Sequence, residues 1–490
     1  MKRLSKYEKV VAEIVLLMAI TVRANNLQLF NVAVSNRDDH TAFVKFDLSW
    51  ENSWRYTNIN HDAAWVFCKV RQEGSAEWQP VRMEGEGLNP TVYSTGEGTG
   101  IDVIVPADHT GLFVRRSSEG AGAVSVANIQ AVWNFSSNSL VKSSRVFVQA
   151  MGIEMVYVAE GTNTVGSGGT EAGSFTAGPW TSGATTPFKI TSEAALEIGN
   201  AAGMLWGTSS SGNTTIGSAG TLPAEFPKGY KAFYCMKYEV TQGQYTDFLN
   251  ALAVNQATNR VNNGLTGFVN YTIATNAMGV YTCSVPDRAC NYVSWADGCA
   301  YMDWAGLRPM TELEYEKACR GPLAPVANEY AWGSTVIVRQ TGFTSGLNTG
   351  GDVAAPLNAN CNYGGALGPV RSGIYATGSS SREQAGASYW GIMELSGNVW
   401  ERAVTIGNST GRAFTGEHGD GTLTASGDAN VTAWPSSATA VGSCYRGGQH
   451  SRPAANACVS DRTLASYTDS GRGDTLGYRG VRTAPAGIQP

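Results

Sequence analysis

The chain has 490 residues, of which 58 are glycine and only 15% are charged, and its formal net charge is −5. That length suits two to four domains, and the composition points to many loops and few long charged helices. With no basic run, a nucleic-acid or anionic-membrane partner is not expected.

Residues 1–24 read as an export signal. Lys2, Arg3, Lys6 and Lys9 precede the apolar run "VVAEIVLLMAITV" (10–22), and Val22-Arg23-Ala24 offers a cleavage site. The run is too short to span a bilayer, so no transmembrane segment is expected after signal removal. Glu13 interrupts it, and the competing reading is a buried N-terminal helix. The expected location is exported: periplasmic, cell-surface or extracellular. Nine cysteines, an odd number, fit one or more disulfides in an oxidising compartment with a thiol left over. Cys283 with Cys290 and Cys444 with Cys458 are the pairs closest in sequence.

Residues 25–150 read as all-β. In "AFVKFDLSW" (42–50) strict alternation puts Val44, Phe46, Leu48 and Trp50 on one face. "AAWVFCKV" (63–70), "GIDVIVPA" (100–107), "ANIQAVWNF" (127–135) and "SSRVFVQA" (143–150) are further strands, separated by Gly, Asn and Ser clusters. Short strands with turn signals between them suggest a sandwich. His40, His61 and His109 have no metal-ligand spacing and are expected to be polar surface residues.

A second unit begins near residue 153. "TSSSGNTTIGSAGT" (208–221) is low in complexity and expected to be an exposed loop. Three helices start on capping signals: Thr241-x-x-Gln244, Ser294-x-x-Asp297 and Thr311-x-x-Glu314. Gly306 stops the second, and Arg320-Gly321 closes the third.

Five stretches then occur in order: "YCMKYEVTQGQYTDFLNAL" (234–252), "NYVSWADGCAYMDWAGLRPMTELEYEKACRG" (291–321), "GIMELSGNVWERAV" (391–404), "YRGG" (445–448) and "LGYRGVR" (476–482). As an ordered set they resemble the formylglycine-generating enzyme, or sulfatase-modifying factor, family over residues 153–485. The resemblance implies an irregular C-type-lectin-like domain, so the expected class is α+β, with the β-sandwich in front. It also implies calcium. Asn398 and Glu401 match one of the family's calcium turns, and "NANCNYGG" (358–365) resembles the other, with Asn360 as its ligand. Ca²⁺ takes six to eight oxygens from such groups.

Active members of the family carry a cysteine pair after the Gly-Gly, since soft thiolates suit copper. Here Gln449 to Ala457 contain no cysteine, Cys458 stands alone, and Cys444 precedes the Gly-Gly. A related branch uses non-haem iron on a His-x-x-x-His-x-Glu motif, and histidines 40, 61, 109, 418 and 450 lack that spacing. No Ser-His-Asp signature, phosphate loop or Cys-x-x-Cys pair occurs. No catalytic residue is assigned, and neither copper nor iron is expected.

What remains is a polar C-terminal strip. His450, Ser451, Arg452, Tyr467, Arg472 and Asp474 are expected to be exposed on one side as a ligand-binding surface. Ala457, Cys458 and Val459 should be buried, with Arg446 and Arg479 holding loop carbonyls at the two ends. The layout resembles the variable proteins of diversity-generating retroelements. The expected function is an exported or cell-surface binding protein whose partner is a protein or a glycan. The alternatives are a copper-dependent oxidase acting on a sulfatase cysteine, and a self-assembling subunit of a surface or gliding-type apparatus.

Overall fold

The structure is a computed structural model that describes residues 26–57, 59–208, 216–262, 270–347 and 351–487. The expected signal segment 1–24 and the centre of the 208–221 loop lie outside these residues. Strands dominate, and helices are few and short.

The first expected strand lies inside a longer one, Thr41–Tyr56, flanked by Gln28–Asn36 and Gly120–Asn134. Val44, Phe46, Leu48 and Trp50 are buried, as their alternation requires. The next strand, Asn60–Gln72, pairs with Thr41–Tyr56 only at the turn, through Arg55 with His61 and Tyr56 with Asn60. It then runs antiparallel to Val146–Val158 and to Leu112–Arg116.

That strand faces two cores. Ala64, Val66, Cys68 and Val70 join the cluster of Val44, Phe46, Leu48 and Trp50. Ala63, Trp65 and Phe67 join a second cluster with Phe248, Trp304 and Tyr478. The two-residue period sends alternate side chains to opposite faces. A strand covered on both sides must be apolar throughout, which explains the unbroken run at 63–70.

Val146–Val158 carries the chain from one part to the other. Its residues 146–156 pair with Asn60–Gln72, and its last four pair with Phe233–Met236. The boundary expected at 150–153 therefore falls inside a strand, and no linker occurs there. One sheet runs from Arg308–Pro309 through Gly480–Thr483, Phe233–Met236, Val146–Val158 and Asn60–Gln72 to Thr41–Tyr56, Gly120–Asn134 and Glu97–Gly98. Polar contacts fasten its two parts. Trp65 Nε1 donates to the Ala305 carbonyl at 2.8 Å, Lys69 Nζ to the Gly421 carbonyl at 2.7 Å, and Arg482 pairs with Asp108.

The three capped helices are Gln242–Asn250, Trp295–Trp304 and Glu312–Arg320, each with its capping box formed. A short fourth, Val254–Arg260, starts at Ala253, which has no side-chain cap to offer. Two expectations are corrected. His61 is a core residue, stacked on Tyr157 at 4.6 Å with Nε2 3.1 Å from the Tyr234 hydroxyl. Burial holds its pKa well below the usual histidine range, so it is neutral. All nine cysteines are unbridged, so neither of the close sequence pairs forms a disulfide.

Candidate functional site

The strip begins on the strand Ser443–Arg446, which pairs with Glu401–Val404. Gly447 follows with φ +84°, and a Cβ there would sit 2.6 Å from the Leu395 carbonyl oxygen. Only glycine allows that approach. Beneath the strip lies a buried charge lattice. Glu312 and Glu316, one turn apart on the same helix face, meet three arginines. Arg446 reaches Glu312 at 3.3 Å and Glu316 at 2.9 Å, Arg462 reaches Glu312 at 2.7 Å, and Arg320 reaches Glu316 at 3.1 Å. Burial alone would raise the Glu312 pKa, but Arg462 and Arg446 outweigh it and hold the carboxyl below its ordinary value. Arg446 also donates to the Val459 carbonyl at 2.7 Å, tying down the buried Ala457-Cys458-Val459 turn.

Arg479 holds the other end. Its Nε donates to Glu401 at 2.7 Å, and its two terminal nitrogens donate to the Met236 and Met393 carbonyls at 2.8 Å each. Both end arginines thus grip loop carbonyls as their rigid forks allow. Two more carboxyls, Glu239 and Glu394, share the Arg479 environment. Burial raises all three carboxyl pKa values, Glu394 to about 7, and repulsion from Glu401 adds to it at Glu239 and Glu394.

The expected calcium ligands divide here. Asn360 accepts the Val338 N–H at 2.8 Å and donates to the Glu383 carbonyl at 3.1 Å. Asn398 accepts the Val370 N–H at 2.9 Å and donates to Glu239. Both amides are engaged in hydrogen bonds within the protein. Glu401 differs: its Oε2, and Oε2 of Glu394, are buried without a hydrogen-bond partner. Arg479 acts on both carboxyls, and Arg371 acts on Glu394 as well. Among the described residues no three His, Cys, Asp or Glu side chains converge to hold an ion. Glu239 and Glu394 were not singled out from the sequence, where they are isolated acids in apolar surroundings.

The six expected ligand residues do not form one exposed set. His450 is only 2% exposed. Its backbone bonds to Asn398 and Gly365, which draws the ring inward, and burial lowers its pKa against the opposing pull of Asp474. Ser451 and Arg452 are exposed beside it, and Tyr467, 40% exposed, packs on Tyr445 at 5.7 Å. Arg472 is half-buried and bound to Asp297 at 2.6 and 2.7 Å, at the first turn of the helix Trp295–Trp304. Asp474 is half-buried, and its carbonyl accepts from Asn291.

The thiols nearest the strip are poorly placed for chemistry. Cys458 contacts the Asn328 carbonyl, and burial pushes its pKa up to about 12. Cys444 and Cys361 are fully enclosed, and burial raises them further. Metal binding and nucleophilic attack need the thiolate.

Comparison with known proteins fixes the family. The Sulfatase-modifying factor enzyme 1-like domain matches residues 148–484. The chain belongs to the sulfatase-modifying factor family. Its relatives include a hercynine oxygenase of Mycolicibacterium thermoresistibile, 35% identical over 118 residues, which are 24% of this chain and 20% of that protein. A hercynine oxygenase of Mycobacterium tuberculosis is 28% identical over 183 residues, 35% of this chain and 37% of that protein. A formylglycine-generating enzyme of Streptomyces coelicolor is 50% identical over 48 residues, 10% of this chain and 15% of that protein. The chain thus covers a minor part of each relative's length. The family fold begins within the strand Val146–Val158, two residues after it starts.

Proposed function

We propose that this member of the family binds a ligand rather than oxidising a substrate, and that it does so as an exported or cell-surface protein. The observation that carries this is the segment after Gly447-Gly448. No thiol stands between Gln449 and Ala457, and Cys458 behind it is buried and protonated. In the same reading residues 25–150 form a β-sandwich and the remainder a C-type-lectin-like domain. The ligand-contacting part of the strip reduces to Ser451, Arg452 and Tyr467, with Arg472 and Asp474 at its margin. Its partner is a protein or glycan at the cell surface, or a further copy of the chain in a surface assembly. Calcium, where bound, is held by Glu394 and Glu401 as a structural ion.

The names of the relatives favour a second reading, an oxygen-using enzyme. Incubation of the purified protein with copper, oxygen and a cysteine-containing sulfatase peptide separates the two. The binding reading expects no aldehyde product. Product formation that is lost in Cys458→Ser would overturn it.

A further inference from the structure

A large cleft of about 680 Å³ opens away from the strip, where the Thr41–Tyr56 and Asn60–Gln72 hairpin meets the loops of residues 371–393. That volume is in the range of small-molecule and oligosaccharide sites. Its walls hold aromatic rings. Trp54 is fixed by its Nε1 bond to Asn60 at 2.8 Å and lies over Lys237, whose Nζ is 4.9 Å from the ring. Gly391 makes room for it, since a Cβ there would come within 3.0 Å of the indole. Tyr56 stands 53% exposed at the rim, and Tyr389 also lines the cleft.

The charge of the lining is one-sided. It contains Lys237, Arg371 and Arg382 and no Asp or Glu. Glu154 offsets Lys237 at 3.2 Å. The two arginines are positioned otherwise. Arg382 donates to the Ala387 and Ala331 carbonyls, and Arg371 to those of Ser372 and Asp352. Neither forms an ion pair among the described residues. Carbonyls fix the orientation of each guanidinium, and the buried Glu394 and Glu329 act electrostatically on Arg371 and Arg382 without forming a hydrogen-bonded pair with them. The remaining lining is mainly glycine, alanine and short hydroxyl side chains.

We infer that this cleft binds an acidic saccharide. A pyranose presents a C–H face that packs on an aromatic ring, hydroxyls that suit serine and asparagine, and a carboxylate or sulfate that suits an arginine fork. The inference rests on the reading of the chain as a binding protein but places the ligand away from the C-terminal strip.

The test is calorimetric titration of the full chain with tri-galacturonic acid, with neutral galactotriose and adenosine monophosphate as comparison probes. Trigalacturonate should bind, more weakly as salt is raised, and galactotriose should bind at least about tenfold more weakly, because it lacks the charge that the arginines meet. Tyr56→Ala and Arg371→Gln should each weaken binding. Tyr56, exposed at the rim, should do so with the melting temperature unchanged. A variant outside both the cleft and the strip, Met278→Ala, should bind like wild type. No binding of trigalacturonate, equal binding of the neutral sugar, or tighter binding of the nucleotide would overturn the assignment. So would binding that Tyr56→Ala and Arg371→Gln leave unchanged. Those outcomes leave the binding reading standing, because that reading is tested separately by the aldehyde assay.

Discussion

Replacing Arg479 with methionine removes the guanidinium shared by the buried carboxyl cluster and keeps an apolar stem of similar length. Three hydrogen bonds disappear, to Glu401 and to the Met236 and Met393 carbonyls. Breaking a buried ion pair from one side costs about 3–5 kcal/mol, because the partner charge stays buried. The donors lost to the Met236 and Met393 carbonyls add to that cost. A domain of this size should then melt roughly 6–10 °C lower. The pH dependence is the sharper readout. Glu239, Glu394 and Glu401 have folded-state pKa values raised above their ordinary value, Glu394 to about 7. Their contribution is fully present below the unfolded pKa and is lost as pH rises through the folded values. Without Arg479 those values rise further, so the deficit of the variant should be larger at pH 8 than at pH 5. Calorimetric or fluorescence melting of both proteins at the two pH values measures it. A deficit that is absent, or equal at both, would show that Arg479 does not carry the charge of this cluster.

Further outcomes follow from other contacts. His450→Ala should lower the melting temperature by removing a buried ring, whereas Ser451→Ala, Arg452→Ala and Tyr467→Ala together should stay within about 0.5 kcal/mol each, as surface changes do. Gly298→Ala should destabilise strongly, since the new Cβ would sit 1.9 Å from the Tyr478 ring; the check is a chemical-denaturation midpoint. Thr311→Ala should cost about 1 kcal/mol, as its hydroxyl caps the Glu314 N–H at 3.1 Å. If Glu394 and Glu401 hold calcium, a concentration of 100 times Kd should add roughly 2.7 kcal/mol, and Glu394→Gln with Glu401→Gln should abolish the gain; wild type that melts alike with calcium and with chelator removes the assignment.

The sequence carried the local signals well. The capping boxes at Thr241, Ser294 and Thr311 and the buried face of residues 44–50 depend on neighbours a few positions away, and each formed as read. The scaffold role of Arg446 and Arg479 was legible because the glycines beside them mark close backbone approach. What failed were statements about burial of polar residues. His450 and His61 look like surface histidines in sequence, and only long-range neighbours enclose them. The pairing of Arg446 and Arg462 with Glu312 joins residues 134 and 150 positions apart. No spacing rule reaches that far. The cleft beside Trp54 was equally hidden, because its two walls are separated by more than 300 residues of chain.

The shared strand explains why the two parts cannot be treated as a module and a tag. Trp65 and Phe67 contribute to the core that holds Phe248 and Trp304, while Ala64 and Val66 on the same strand fill the other core. A family domain starting at residue 148 would leave one side of Val146–Val158 without Asn60–Gln72. It would thereby expose an open sheet edge and the apolar face that Trp65 covers, both of which invite association. The N-terminal strands thus complete the family domain. They also supply Trp54 and Tyr56, so the element that closes the core and the element that builds one wall of the cleft are the same hairpin.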